Sequence, residues 1–209
     1  MVDSIIFDLD GTLWDSSEEV LKAWNEAIEE AGYDFSLSME TIGSIMGLPI
    51  QDIANKVFAM LPEEKRLPML RKCFDKEVVI LGETGGRLME GLEETLQILQ
   101  KKYRLFIVSN CQDGYVQTFL KAHHMEQFFV DFLCVGDEGI TKGEGNRKLI
   151  QQYDLKQAVY VGDTTGDQQS AKEAGIDFIF ARFGFGTAKN YLYSIDYLAQ
   201  LPEILDEIV

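Results

Sequence analysis

The chain has 209 residues, 46% of them hydrophobic, enough for one sizeable domain or for a core that carries a smaller insert. Its formal net charge of −16 repels nucleic-acid phosphates and anionic membranes, and no apolar run is long enough to span a bilayer. Cys73, Cys111 and Cys134 lie far apart without metal-ligand spacing, and no basic leader precedes the first apolar run, so free thiols in a reducing, cytoplasmic compartment are expected.

Residues 4–9 form a short apolar run with Ile5, Ile6 and Phe7 consecutive, the pattern of a strand covered on both faces. From Asp15 to about Gly82 only helical patterns follow. Ser16 or Ser17 can cap a first helix, with Glu18 and Glu19 in its opening turn, where the dipole favours acids. Val20, Trp24, Ile28 and Ala31 share one face of it, and Gly32 offers a stop. Further helices are expected near 38–45, 50–60 and 68–81, and Gly82, Gly85 and Gly86 read as a hinge. Leu92, Leu96 and Leu99 then mark a helix, and 104–109 a second strand. Val116, Phe119 and Leu120 mark another helix, before strands at 128–135, 158–161 and 177–181. Strand alternating with helix implies an α/β fold with a doubly wound parallel sheet. Residues 1–14 and 83–209 are expected to form that core, with 15–82 as an all-helical insert.

Reactive residue types recur at the carboxyl ends of these strands, where doubly wound folds bind ligands. The first run ends in Asp8-Leu9-Asp10-Gly11-Thr12. Two residues apart on a strand, the carboxylates would point to the same face, but Gly11 breaks the extended path and lets Asp10 turn while Asp8 stays aimed at the opening beyond the sheet. A solvated turn is the plain alternative, and an EF-hand loop fails because Leu13 and Trp14 interrupt its oxygen ligands. Ser109-Asn110 ends the second strand and can cradle phosphate, although alone the dipeptide is an ordinary turn. After the third strand, Lys142 stands in a glycine-rich loop, able to reach a phosphoryl oxygen or simply to be solvated. The fourth strand ends in Gly162-Asp163-Thr164-Thr165-Gly166-Asp167, with Asp167 expected at or near a helix start. Several carboxylates gathered at one end of a sheet would repel, so a divalent cation is expected among them.

This order of motifs resembles the haloacid dehalogenase superfamily of phosphatases, from residue 4 to about 181. The stretch Phe7-Asp8-Leu9-Asp10-Gly11-Thr12-Leu13 with Asp15-Ser16 is especially similar to its phosphoglycolate phosphatase-like branch, which carries a small helical cap. Lys142 lacks the proline that many relatives carry after the lysine, and Met89-Glu90-Gly91 replaces an aromatic-Pro-Gly turn. Both departures concern loop paths. The resemblance implies a Rossmann-like core and a Mg2+-dependent phosphatase, monomer or dimer, acting on a small phosphorylated metabolite. Asp8 would attack phosphorus and become an aspartyl phosphate, while Asp10 serves first as acid and then as base. Mg2+ would be held by Asp8, Asp163 and the main-chain carbonyl of Asp10, with Asp167 a direct or water-linked ligand. Lys142 and Ser109 would bind phosphoryl oxygens, supported by Asn110 and the Gly11 backbone. The cap would close over the substrate.

Other readings remain. A dehalogenase needs neither metal nor Asp10. A phosphotransferase such as a sugar phosphate mutase uses the same residues and differs only in passing the phosphoryl group to a hydroxyl instead of water. A signalling receiver would carry its acceptor at the third strand, where Asp137 stands, but would have no helical insert; a non-catalytic phospho-ligand binding protein is also open. A Cys111 nucleophile paired with His123 or His124 fits the motif order poorly. Gly184-Phe185-Gly186 lacks the third glycine of a dinucleotide fingerprint, since Lys189 takes its place, and is expected at the rim of the site.

Overall fold

In the computed structural model, which describes residues 1–208, β1 (Ser4–Phe7) leads through a tight turn into β2 (Trp14–Asp15). Four helices follow, α1 (Ser17–Glu30), α2 (Met39–Gly43), α3 (Ile50–Val57) and α4 (Glu63–Thr84). The chain returns through β3 (Arg87–Leu88), α5 (Leu92–Leu99), β4 (Arg104–Ser109) and α6 (Tyr115–His123). It continues as β5 (Asp131–Cys134), α7 (Lys142–Gln152), β6 (Ala158–Gly162), α8 (Thr165–Ala174), β7 (Asp177–Ala181), β8 (Tyr193–Ile195) and α9 (Leu201–Glu207).

The main sheet runs β5-β4-β1-β6-β7-β8, with every neighbouring pair parallel. In order of appearance this is 3-2-1-4-5-6, the doubly wound order that reverses beside its first strand and opens a crevice there. β1 is buried at all four positions because both faces of the sheet are covered. Ile5 and Phe7 join Ile107, Val161, Leu96, Phe119 and Leu201 on one side. Ile6 joins Phe106, Val108, Tyr160, Leu149 and Ala171 on the other. The parallel α/β sheet expected from the sequence is present. β8, too short and polar to stand out, extends it by one strand.

The four helices between β2 and β3 pack over the carboxyl end of the sheet, and three differ from expectation in their bounds. α2 and α3 are shorter than the apolar pattern suggested. α4 starts ahead of Pro68, with Pro62 at its cap and Glu63 and Glu64 in the first turn. Pro68 therefore lies inside the helix, which forgoes one backbone bond there. Gly82 continues α4, and the break comes at Gly85, where φ is 66°. The two-stranded ribbon of β2 and β3 was not anticipated. It pairs Trp14 with Leu88 and Asp15 with Arg87, so the chain leaves and re-enters the sheet at one place.

Gly145 lets α7 sit against the sheet: a Cβ there would lie 2.6 Å from Val135 Cγ1 and 3.1 Å from Val108 Cγ1. An alanine gains up to about 1 kcal/mol of helix propensity, against about 1–3 kcal/mol for overpacking a rigid, β-branched wall. Gly145→Ala should therefore lower stability, by about 1 kcal/mol in urea unfolding; an unchanged or raised midpoint would show that α7 can lift freely.

Candidate active site

Four strand ends deliver the polar residues. β1 runs on to Asp8, whose N–H donates to Val161 of β6, and the chain then closes a tight turn in which Gly11 N–H donates to Trp14 C=O at 2.9 Å. Gly11 adopts φ 76°, and a Cβ there would fall 2.5 Å from Asp163 Oδ2, so glycine serves both the turn and the close approach. Ser109 is buried at the end of β4, and Asp163 directly follows β6. Lys142 is the first residue of α7 and not part of a free loop, as the sequence suggested. Thr141 and Glu144 form a reciprocal capping box that starts the helix. Asp167 lies in the first turn of α8, in a second such box with Thr164.

Lys142 Nζ donates to Asp8 Oδ1 at 2.8 Å and to Asp167 Oδ1 at 2.7 Å, with all three groups buried. Burial alone would drive the lysine's proton off, but Asp167 and Asp8 hold its pKa well above the usual value. Oxygens of Asp8, Asp163 and Asp167 lie within 4.8 Å of one another. Burial, and then the charge of Asp167, push Asp8 well above the carboxylate range, with Lys142 pulling the other way. Asp163 is pushed up to about 6 by burial and by Asp167. Three acids facing one ammonium leave the cluster short of positive charge.

Each acid is held asymmetrically. Asp163 Oδ2 accepts from the N–H groups of Phe185, at 2.7 Å, and Gly186, at 3.0 Å. Its Oδ1 is buried without a partner among the described residues. Asp10 Oδ1 accepts from Trp14 Nε1 at 2.9 Å, Ser16 Oγ at 3.1 Å and Tyr115 OH at 2.9 Å, while Oδ2 has no bond among the described residues. Burial raises the Asp10 pKa, and these three donors oppose the rise without cancelling it. Asp167 differs: Oδ1 takes Lys142, and Oδ2 takes the Thr164 N–H and hydroxyl. Asp10's carboxylate stands outside the three-acid cluster.

The structure assigns other residues unforeseen tasks. Ser16 makes no side-chain cap for α1, since its hydroxyl serves Asp10 and Tyr115. Asn110 Nδ2 donates to Gly47 C=O at 2.8 Å and so ties the site to the turn between α2 and α3. Asp137 is paired with Arg71 of α4. The Cys111 thiol, raised well above its usual pKa by burial and by Cys134, is no thiolate, and His123 packs on Trp14 instead. Tyr115 gave no sequence signal, because its aromatic ring reads as core.

A family model described as haloacid dehalogenase-like hydrolase matches residues 5–181. The chain belongs to that family. Among its relatives, a phosphoglycolate phosphatase from Vibrio parahaemolyticus is 26% identical over 96% of this chain and 95% of its own length. One from Aquifex aeolicus is 24% identical over 87% of this chain and 85% of its own. A haloacid dehalogenase-like hydrolase from Streptococcus pneumoniae superposes with a TM-score of 0.85 at 23% identity, covering 98% of both chains, which shows the shared fold.

In this haloacid dehalogenase-like hydrolase the helices roof the strand ends and line a half-open cavity of about 50 Å3 beside Asp8, Asp10 and Ser109. Glu77 of α4 lies buried on its wall. Glu77 accepts from Trp24 Nε1 and, at 2.9 Å, from Gln112 Nε2, which joins the helices to the loop after β4. Burial, with a smaller push from Asp10, raises its pKa to about 8 against the two hydrogen bonds. In the unfolded chain it titrates near 4.5, so folding takes up a proton between these values and stability falls as pH rises through that window. The linked loss is on the order of a few kcal/mol. Glu77→Gln should flatten the dependence of Tm on pH there and exceed the parent Tm on the alkaline side. A variant with the parent's slope would place the proton elsewhere.

Proposed function

We propose that the protein is a divalent-cation-dependent phosphatase that hydrolyses small phosphate monoesters through a covalent intermediate on Asp8. The observation that carries this reading is the buried Asp8–Lys142–Asp167 bridge with the uncommitted Oδ1 of Asp163 beside it. That donor set of hard oxygens, too negative for one ammonium, fits Mg2+, for which Asp8, Asp163 and the main-chain carbonyl of Asp10 would be ligands. Both oxygens of Asp167 are already engaged, which favours a water-linked role for it. When bound, the cation would neutralise charge on the phosphoryl group and the acids.

The chain's own groups then divide the work. Lys142 steadies Oδ1 of Asp8 and offers its charge to phosphoryl oxygens, with Ser109 and the Gly11 backbone beside it. Oδ2 of Asp8 attacks phosphorus, and the bond from phosphorus to the alcohol oxygen breaks. Asp10, whose pKa burial raises, gives its Oδ2 proton to the departing alkoxide. Asp10, now ionised, takes a proton from water, whose oxygen attacks phosphorus and breaks the Asp8–phosphorus bond. Inorganic phosphate leaves, Asp8 is free, and Asp10 is protonated again. Trp14, Ser16 and Tyr115 hold Asp10 in one orientation through both steps. Residues 15–82 act as a cap that keeps bulk water out of the first step.

Asp8→Asn should keep the parent Tm to within a few degrees and release no phosphate from any ester; appreciable turnover would assign the nucleophile elsewhere. Asp10→Asn should slow turnover by about 10²–10⁴-fold, the usual worth of a general acid–base. A loss under tenfold would remove Asp10 from proton transfer. Stripping with EDTA should abolish phosphate release, and restoring Mg2+ should both revive it and raise Tm. Full activity in excess EDTA would refute the cation requirement.

A further inference from the structure

The wall of the cavity opposite the reacting acids departs from what the named relatives' substrate would ask of it. Phosphoglycolate carries a carboxylate on its alcohol. Here the wall is built from Val20, Trp24, Ile45, Ile53 and Phe74, with Glu77 and Gln112 as its polar members. No lysine, arginine or histidine lines it among the described residues. Its ionisable groups are instead acids, Asp8, Asp10 and Glu77. Glu77 is tied at both oxygens, by Trp24 and Gln112, and supplies no positive charge to the space. A carboxylate placed against that wall would lose its water and gain no cation from it.

The space beside the acids is about 50 Å3 and continues past Met46, Gly47 and Asn110 into a wider cleft that reaches Lys142. Three ties join the helices to the sheet loops around it: Gln112 to Glu77, Asn110 to Gly47 C=O, and Arg71 to Asp137. We infer that the site takes phosphate esters of a small, largely apolar alcohol with no anionic group, and that the charge-free wall carrying Ile53 and Phe74 sets this preference. The inference rests on the phosphatase reading and narrows it to a substrate class unlike phosphoglycolate.

Isobutyl phosphate and phosphoglycolate separate the possibilities, because they match in shape and differ in the carboxylate. Phosphate release from both, and from p-nitrophenyl phosphate as a general reporter, would be followed with Mg2+ for the parent protein and for Ile53→Lys. Ile53 lines the cavity and is only partly buried, so a lysine stem can lie along the same wall. The parent should show kcat/KM about tenfold or more higher on isobutyl phosphate. Ile53→Lys should move that ratio about tenfold towards phosphoglycolate. Equal or faster turnover of phosphoglycolate by the parent, with p-nitrophenyl phosphate also hydrolysed, would overturn the inference and leave the phosphatase standing. Silence on all three esters would remove the phosphatase reading and the inference with it. Should Ile53→Lys fail to fold, the parent's ratio decides alone.

Discussion

A buried ammonium between two buried carboxylates is the constraint from which the architecture of this site follows. Burying Lys142, Asp8 or Asp167 alone would be costly, and the bridge of 2.7 and 2.8 Å is what makes their joint burial tolerable. The bridge requires β1 to end beside the first turns of both α7 and α8. Those turns are fixed by matched capping boxes, Thr141 with Glu144 and Thr164 with Asp167. It also requires α7 to approach the sheet closely, which Gly145 permits. The same three charges leave the neighbourhood negative, because Asp163 adds a further acid without a further base. The cluster is thus rigid in geometry and unsatisfied in charge.

A common pattern governs the acids around it. Among the described residues, Asp8, Asp10 and Asp163 each commit one oxygen to the protein and leave the other unclaimed, whereas Asp167 commits both. A carboxylate tied at one oxygen cannot rotate away, and its second oxygen stays available for a phosphorus atom, a proton or a cation. The donors that do the tying are mostly main-chain N–H groups and side chains whose bulk is in the core. Trp14 and Tyr115 stand at a ring separation of 5.4 Å, so the packing that stabilises the turn also orients Asp10. Fold stability and site geometry are here properties of the same contacts.

Much of this was legible in the sequence, for identifiable reasons. Continuous apolar runs announced strands covered on both faces, and the acids stood at their ends because the crevice lies there. Asp8, Asp163 and Asp167 could be grouped before their distances were known, since strand ends in a doubly wound sheet converge. Ser16 was misread and Tyr115 missed because each is ambiguous locally: a serine before a helix looks like a cap, a tyrosine on an apolar face like core. Their roles come from partners far along the chain, as with Tyr115 and Asp10, and no local pattern encodes that. β2, β3 and β8 escaped because strands of two or three residues carry no periodicity.

The ribbon of β2 and β3 has a consequence for how such a chain can change. Asp15 and Arg87, joined by a 2.8 Å ion pair, place the entry and exit of the helical excursion side by side. To the sheet, everything between them is topologically one hairpin loop, however long or differently folded it becomes. The entropic cost of closing that loop grows only slowly with its length. Helices that shape the alcohol's surroundings are therefore free to be lengthened, exchanged or rebuilt, while the acids and the lysine stay where the sheet puts them. In such a chain the chemistry stays with the sheet, and the choice of alcohol is open to revision in the segment between Asp15 and Arg87.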